Sequence, residues 1–381
     1  MAAQPETPPG SNPAAPVDQV VDWDFAARTA ARLVSPGPQV SADEALEIVA
    51  ALRRAAATAH PHVQSVTGLS TEAGQGVLVV DRPGWARANA MAFRTLLEPV
   101  IAESFQKRGV AGTRFGPVNF GAIGSRVTGA EVGALLSVLA SRVLGQYDAF
   151  AATGPHGQGG RLLLVAPTIV SIERELAVEP ADFRLWVCLH EETHRVQFTA
   201  NPWLAEHLQG EVRALVSELM LEPSQLADRL AATARSLPEL LRPGHAADPD
   251  SPNSGMPLLD AIQSPEQRRR LAGVTAVMSL LEGHADVVMD EVGPQVVPTV
   301  QVIRQRFNRR RSGRGALDQL LRKLLGLDAK ARQYADGAKF VRGVVERAGM
   351  DGFNAVWSSP ETLPRPAEIA DPQAWLRRVH G

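Results

Sequence analysis

The pentapeptide His190-Glu191-Glu192-Thr193-His194 follows the stretch Asp182 to Leu189 (DFRLWVCL), which supports a helical register through it. Residues four apart in a helix differ by roughly 40° around the axis and about 6 Å along it. His190 and His194 therefore project from one face, near enough for two imidazoles to bind one zinc ion at about 2.0 to 2.1 Å. Glu191 lies about 100° round from His190, so it flanks such a metal instead of completing its shell. A carboxylate placed there can take a proton from water activated by the metal and pass it to a leaving group. Two histidines do not close a zinc site, so the fold must bring a distant third ligand to this helix.

The chain offers one on a second capped helix. Ser264-Pro265-Glu266-Gln267 provides an N-cap serine, proline at the first helical position and glutamine at the third. The apolar residues Leu271, Val274, Val277, Met278 and Leu281 continue it until Gly293-Pro294. Inside this body lies Leu281 to Asp290 (LEGHADVVMD), whose Glu, His and Asp are costly to bury unless ligated or hydrogen-bonded. Glu282 and Asp286 share a face, with His284 roughly 200° away. The economical assignment makes Glu282 the third ligand and Asp286 the acceptor that orients a ligand imidazole through its other nitrogen. The rival takes His284, giving a three-histidine site, and the plainest alternative is an exposed polar patch. Gly283 removes a side chain beside the metal and permits close helix packing. A bare H-E-x-x-H also arises by chance, and the charged Glu192 and Arg195 depart from the uncharged filler common in metalloprotease helices.

H-E-x-x-H on one helix and E-x-x-x-D on a later one resemble the gluzincin branch of zincin metallopeptidases, in which Glu is the third ligand. Glu282-Gly283-His284-Ala285 is similar to the E-G-x-A variant of related zincin-like families. More narrowly, the chain resembles a bacterial family of zincin-like candidate hydrolases of unknown function, whose members carry a label of association with biosynthesis of a deazaflavin coenzyme. The resemblance spans about residues 20 to 370. It includes Asp81 to Trp85 (DRPGW), Leu144 to Asp148 (LGQYD), His190 to Phe198 (HEETHRVQF) and Leu281 to Asp290. It implies a zincin-like, largely helical fold and one zinc ion per chain, but supplies no substrate. The interval from His194 to Glu282 is longer than in many gluzincins and implies an inserted segment, roughly 203–257, that shapes or covers the cleft.

The remaining features bound the class. The 45% hydrophobic and 21% charged residues match a globular average and exclude wholesale disorder. A formal charge of −2 gives no chain-wide grip on nucleic acid or anionic membrane. The one cysteine, Cys188, excludes an internal disulfide framework and reads as a buried core thiol. No uninterrupted apolar run approaches the roughly 18 to 20 residues of a membrane span, and residues 1–18 read as a disordered leader without a secretory signal. The expected location is cytoplasmic.

Helix signals dominate the rest: capping boxes at Ser41–Glu44 and Thr128–Glu131, and a helix from Trp85 to about Lys107 entered through Asp81–Gly84. Strands are expected at 76–80 and 161–165, the second after a glycine-rich loop at 154–160 that lacks phosphate-binding spacing. Residues 245–256 read as a linker, and 358–372 as a Pro-rich extended stretch. The expected class is mainly α with a small sheet (α+β), a zincin-like metallopeptidase fold with additional helices. The expected parts are 19–175 and a zincin-like 176–381, packed as one unit.

Other candidates are weaker. His60 and His62 suit a helix end, and His156, His207 and His245 read as surface histidines. Tyr147 and Tyr334 are candidate oxyanion donors. Six arginines between Arg304 and Arg314 suit a solvated loop or an acidic partner better than nucleic acid, since only Phe307 offers stacking. Two functions from different classes follow: a zinc-dependent hydrolase, with a peptide or protein substrate and Glu191 as general base, or a catalytically inactive zincin scaffold acting as an interaction or regulatory protein.

Overall fold

In the computed structural model the described residues are 20–71, 76–107, 120–151, 160–219, 264–311 and 327–381. They run α1 (Trp23–Leu33), α2 (Ala42–Thr67), β1 (Leu78–Val80), α3 (Arg82–Lys107), α4 (Phe120–Ala140), β2 (Gly145–Asp148), β3 (Arg161–Val165), α5 (Ala166–Leu176), α6 (Pro180–Ala200) and α7 (Pro202–Leu219). They continue with α8 (Pro265–Val296), α9 (Val300–Arg311), α10 (Leu327–Phe353), two 3-10 turns (Asn354–Trp357 and Pro360–Thr362), α11 (Pro366–Ala370) and α12 (Pro372–His380). The expected mainly helical class with a small sheet is observed.

Capping chemistry sets where the long helices begin. Ser41 Oγ accepts from Glu44 N at 3.1 Å and opens α2. Ser264 and Gln267 make the full reciprocal box at the start of α8, at 3.0 and 2.8 Å. Asp81 Oδ1 accepts from Gly84 N at 2.7 Å, so α3 starts at Arg82, earlier than expected. Thr128, by contrast, lies inside α4 and is not its N-cap. The helix already runs from Phe120 and packs along α1, which outweighs a local capping signature. α8 leaves helical geometry at Gly293 (φ 70°), the stop its Gly-Pro pair implied.

The sheet has the order β1-β3-β2, with β1 parallel and β2 antiparallel to β3. The central strand β3 sends alternate side chains to opposite sides. Leu164 joins a core with Ile48, Leu52, Phe183 and Leu189, whereas Leu163 and Val165 join Trp85, Ala86 and Leu136. The first of these cores draws on α2, α6, α8 and α9, so residues on both sides of position 175 share it. A further core, around Leu280, Phe340, Phe353 and Trp375, ties α8 to the C-terminal helices.

Further differences concern the sheet and the C-terminal stretch, and some readings fall outside the described residues. β2 was not foreseen. The Pro-rich stretch 358–372 is not extended but forms a 3-10 turn and short helices, with prolines at Pro360, Pro366 and Pro372 opening each. The leader, the linker at 245–256 and most of the glycine-rich loop lie outside the described residues, as does the inserted segment beyond α7. By length and composition α8 could cross a bilayer, yet it carries the buried His284 and Ser279 and packs on α6, α7 and α10. That is the pattern of a core helix.

Candidate metal centre

Pro180 opens α6 at a position where its missing N–H costs no hydrogen bond. The face bearing Phe183, Val187, Leu189 and Val196 is buried, which fixes the rotation of the helix. His190 and His194 then project together toward α8. Their rings meet edge to face, centroids 4.7 Å apart, with the two Nε2 atoms separated by 3.2 Å.

α8 presents Glu282 to the same point. Its Oε2 lies 3.5 Å from His190 Nε2 and 3.6 Å from His194 Nε2. The three atoms thus form a triangle with edges of 3.2, 3.5 and 3.6 Å. A tetrahedral shell with bonds of about 2.0 to 2.1 Å has edges of about 3.3 to 3.4 Å. Glu282 Oε2 is buried and has no hydrogen-bond partner among the described residues, although it faces two nitrogens. An orphaned carboxylate oxygen, two imidazole nitrogens and tetrahedral spacing together fit a zinc ion, whose preferred protein donors include these groups. His190, His194 and Glu282 can therefore chelate one metal ion.

The electrostatics agree with close approach. Burial alone would raise the Glu282 pKa, but the two facing imidazoles more than offset it and hold the carboxyl well below its usual range. Burial likewise opposes a charged His194, yet the Glu282 carboxylate carries its pKa up to about 9.

His284 does not join this triangle. It is fully buried, packed against Phe353 and Trp357, and burial followed by the charge of His194 lowers its pKa to about 3. Asp286 also departs from its expected role. Its Oδ1 accepts from Arg304 at 3.0 Å and its Oδ2 lies 3.5 Å from Arg342, so it orients no imidazole. The atom that meets Nδ1 of His194 is Oε1 of Gln197, at 2.9 Å. Sequence reasoning passed over Gln197, although its place three residues beyond His194 put it on the same helical face. Gly283 does permit close packing, because a Cβ there would collide with the backbone of Gly337 and Ala338 on α10.

Glu191 is 6% exposed and lies beneath the start of β2. A Cβ at Gly145 would come within 2.6 Å of Glu191 Cγ, 2.8 Å of Cδ and 2.9 Å of Oε1. Glycine at 145 is thus what leaves room for this carboxylate, a second contribution not foreseen. Glu192 and Arg195, the irregular filler residues, find their explanation in α2. Glu192 is completely buried, and its Oε1 accepts from Arg195 Nη2 at 2.6 Å and meets His60 Nδ1 at 2.5 Å. His60 therefore meets the buried Glu192–Arg195 pair, in place of the expected helix-end contact.

The remaining candidates settle structurally. Cys188 is buried, its thiol directed at Leu52 O at 3.8 Å, and burial with nearby Glu191 and Glu192 pushes its pKa well up. Tyr147 stacks on Phe198, centroids 5.8 Å apart. The side chains of Tyr334, His156 and His245 lie outside the described residues. Within the arginine run, Arg304 pairs with Asp286 and Asp290, Arg310 with Glu175, and Arg306 caps α5 through the carbonyls of Leu176 and Ala177. These arginines tie α9 to its neighbours.

Residues 21–376 match a family model described as zincin-like metallopeptidase. Among solved structures, the chain is similar to that of a candidate hydrolase with a novel fold from Chloroflexus aurantiacus. The two share 29% identity with a TM-score of 0.64, over 94% of this chain and 99% of the other. No curated protein sequence matches the chain.

Proposed function

The chain belongs to the zincin-like metallopeptidase family, and on that premise we propose that it is a zinc-dependent hydrolase of gluzincin type that cleaves an amide bond in a peptide or protein. The observation that carries this reading is the triangle of His190 Nε2, His194 Nε2 and Glu282 Oε2, whose edges are those of a tetrahedral shell. These three residues would hold the ion. When bound, zinc supplies Lewis acidity toward a carbonyl oxygen and lowers the pKa of water. Glu191 is the general base: its carboxylate, adjacent to His190 and close enough for its charge to act on His194, accepts a proton from the attacking water and returns it to the leaving nitrogen. Gly145 leaves room for that carboxylate on the β2 side. Glu192 and Arg195 were the residues that favoured a non-catalytic scaffold, and their pairing with His60 accounts for them without any loss of the site.

Metal content and turnover test this directly. The purified protein should contain about one zinc per chain by plasma mass spectrometry. His190→Ala and Glu282→Ala should each lose it. Glu191→Gln should keep the metal and lose hydrolysis of a peptide library, by a factor on the order of 10² to 10⁴. A zinc-replete protein that hydrolyses nothing, with Glu191→Gln indistinguishable from it, would return the protein to the interaction-scaffold reading.

A further inference from the structure

Gln197 lies on α6 beyond His194 and is fully buried. Its Nε2 donates to the carbonyl oxygen of Leu281 at 2.9 Å and meets Nδ1 of His284 at 3.0 Å. A backbone carbonyl can only accept, so the amide nitrogen must occupy that side and the side chain cannot be flipped. With the nitrogen so placed, Nδ1 of His284 is an acceptor and that ring carries its proton on Nε2. Nε2 has no hydrogen-bond partner among the described residues, and the ring packs against Phe353 and Trp357, with centroids 5.0 and 5.5 Å away. At the other end of the amide, Oε1 lies 2.9 Å from Nδ1 of His194. An amide oxygen can only accept, so Nδ1 of His194 carries a proton. In the neutral ring the lone pair is then on Nε2, the atom that faces Glu282 and His190.

We propose that Gln197 is a positioning residue. One amide, anchored by the Leu281 carbonyl, sets the tautomers of both His194 and His284 and presents Nε2 of His194 to the metal. Its effect on His194 and on metal binding rests on the zinc reading above; its effect on the His284 tautomer does not. The chemistry also explains why a neutral amide stands where Asp286 was expected to act. The Leu281 contact requires a donor, and a carboxylate there would set a buried negative charge against that carbonyl.

The test uses the full chain labelled with ¹⁵N-histidine. Long-range proton–nitrogen correlation spectra should show His284 as the neutral Nε2–H tautomer in metal-free wild type, and His194 with its proton on Nδ1 in the zinc-loaded protein. Either proton on the opposite nitrogen overturns the proposal. Those spectra need no variant, so the outcome stands even if a substitution prevents folding. Zinc affinity by chelator competition gives the second readout. Gln197→Met keeps the volume but removes the acceptor, and should weaken binding roughly 10- to 100-fold. Gln197→Glu keeps the acceptor for His194 but loses the donor to Leu281, so its affinity should fall between those of wild type and Gln197→Met. A residue that merely fills space would give the reverse order, and wild-type affinity in a folded Gln197→Met also overturns the proposal. If the wild-type protein takes up no zinc, the metal reading fails instead. The His284 spectrum then decides the proposal alone: Nε2–H supports it and Nδ1–H overturns it.

Discussion

Glu192 has no solvent exposure, and its Oε1 draws both His60 and Arg195 while Oε2 has no hydrogen-bond partner among the described residues. A buried carboxylate of this kind adds little net stability while paired and a large penalty when its partner is lost. Arg195→Met should therefore destabilise the protein by about 3 to 5 kcal/mol in urea denaturation, and adding Glu192→Gln should recover much of it. An additive double variant would show that the pair is not coupled. His194 carries a second residue-scale consequence. Its folded pKa of about 9 in the metal-free protein lies above the ordinary 6.5, despite the opposing effect of burial, because Glu282 faces it. A raised pKa means that the stability it brings is complete below about pH 6.5 and is lost as pH rises through about 9. The melting temperature of the metal-free protein should fall across that window, and His194→Gln should flatten the slope. The charged filler positions Glu192 and Arg195 were visible along the chain, but not their purpose, because their partner His60 is on a different helix.

At the scale of elements, the contact between β2 and α6 matters most for the proposed chemistry. Gly145→Ala would drive a methyl group into the Glu191 side chain, which is flexible enough to move. The expected result is a folded, zinc-binding protein with kcat lowered about tenfold or more, because a displaced base loses its proton-transfer geometry. Unchanged turnover with full metal content would remove Gly145 from the machinery. The helices were largely legible, since caps at Ser41, Asp81 and Ser264 act locally and start helices wherever the following residues permit. β2 was not. Gly145-Gln146-Tyr147-Asp148 has no alternation of apolar and polar residues, and it is a strand because β3 lies alongside, with Asp148 opposite Arg161 and hydrogen-bonded to it at 3.1 Å. The apparent cap at Thr128 failed for the complementary reason: the helix around it continues along α1.

For the whole molecule, the metal is expected to act as a staple between distant parts of the chain. His190 and His194 come from α6, in the core shared with α2 and the sheet, whereas Glu282 comes from α8, which also packs into the C-terminal core. An ion that binds only the folded arrangement stabilises it by about 4 kcal/mol at a thousandfold excess over its Kd. Removal of zinc by a chelator should therefore lower the melting temperature at pH 7.5, and Glu282→Ala should abolish that difference. A chelator-insensitive melting curve in a protein that demonstrably contains zinc would mean that the two cores are already locked without it.

The placement of His190, Glu191 and His194 on one turn follows from helical spacing alone, as does the pairing of Glu282 and Asp286 on one face of α8. Those facts were therefore available along the chain, and with them the case for a candidate metal site. Only the tertiary structure decided that Glu282, and not His284, meets the two histidines, that Asp286 goes to Arg304 and Arg342, and that Gln197 takes the place expected of Asp286. The reason is rotational. Which face of α8 points at α6 depends on how α8 is seated against α10, where Gly283 and Gly337 let the two backbones touch, and a contact so distant in sequence leaves no local pattern to read.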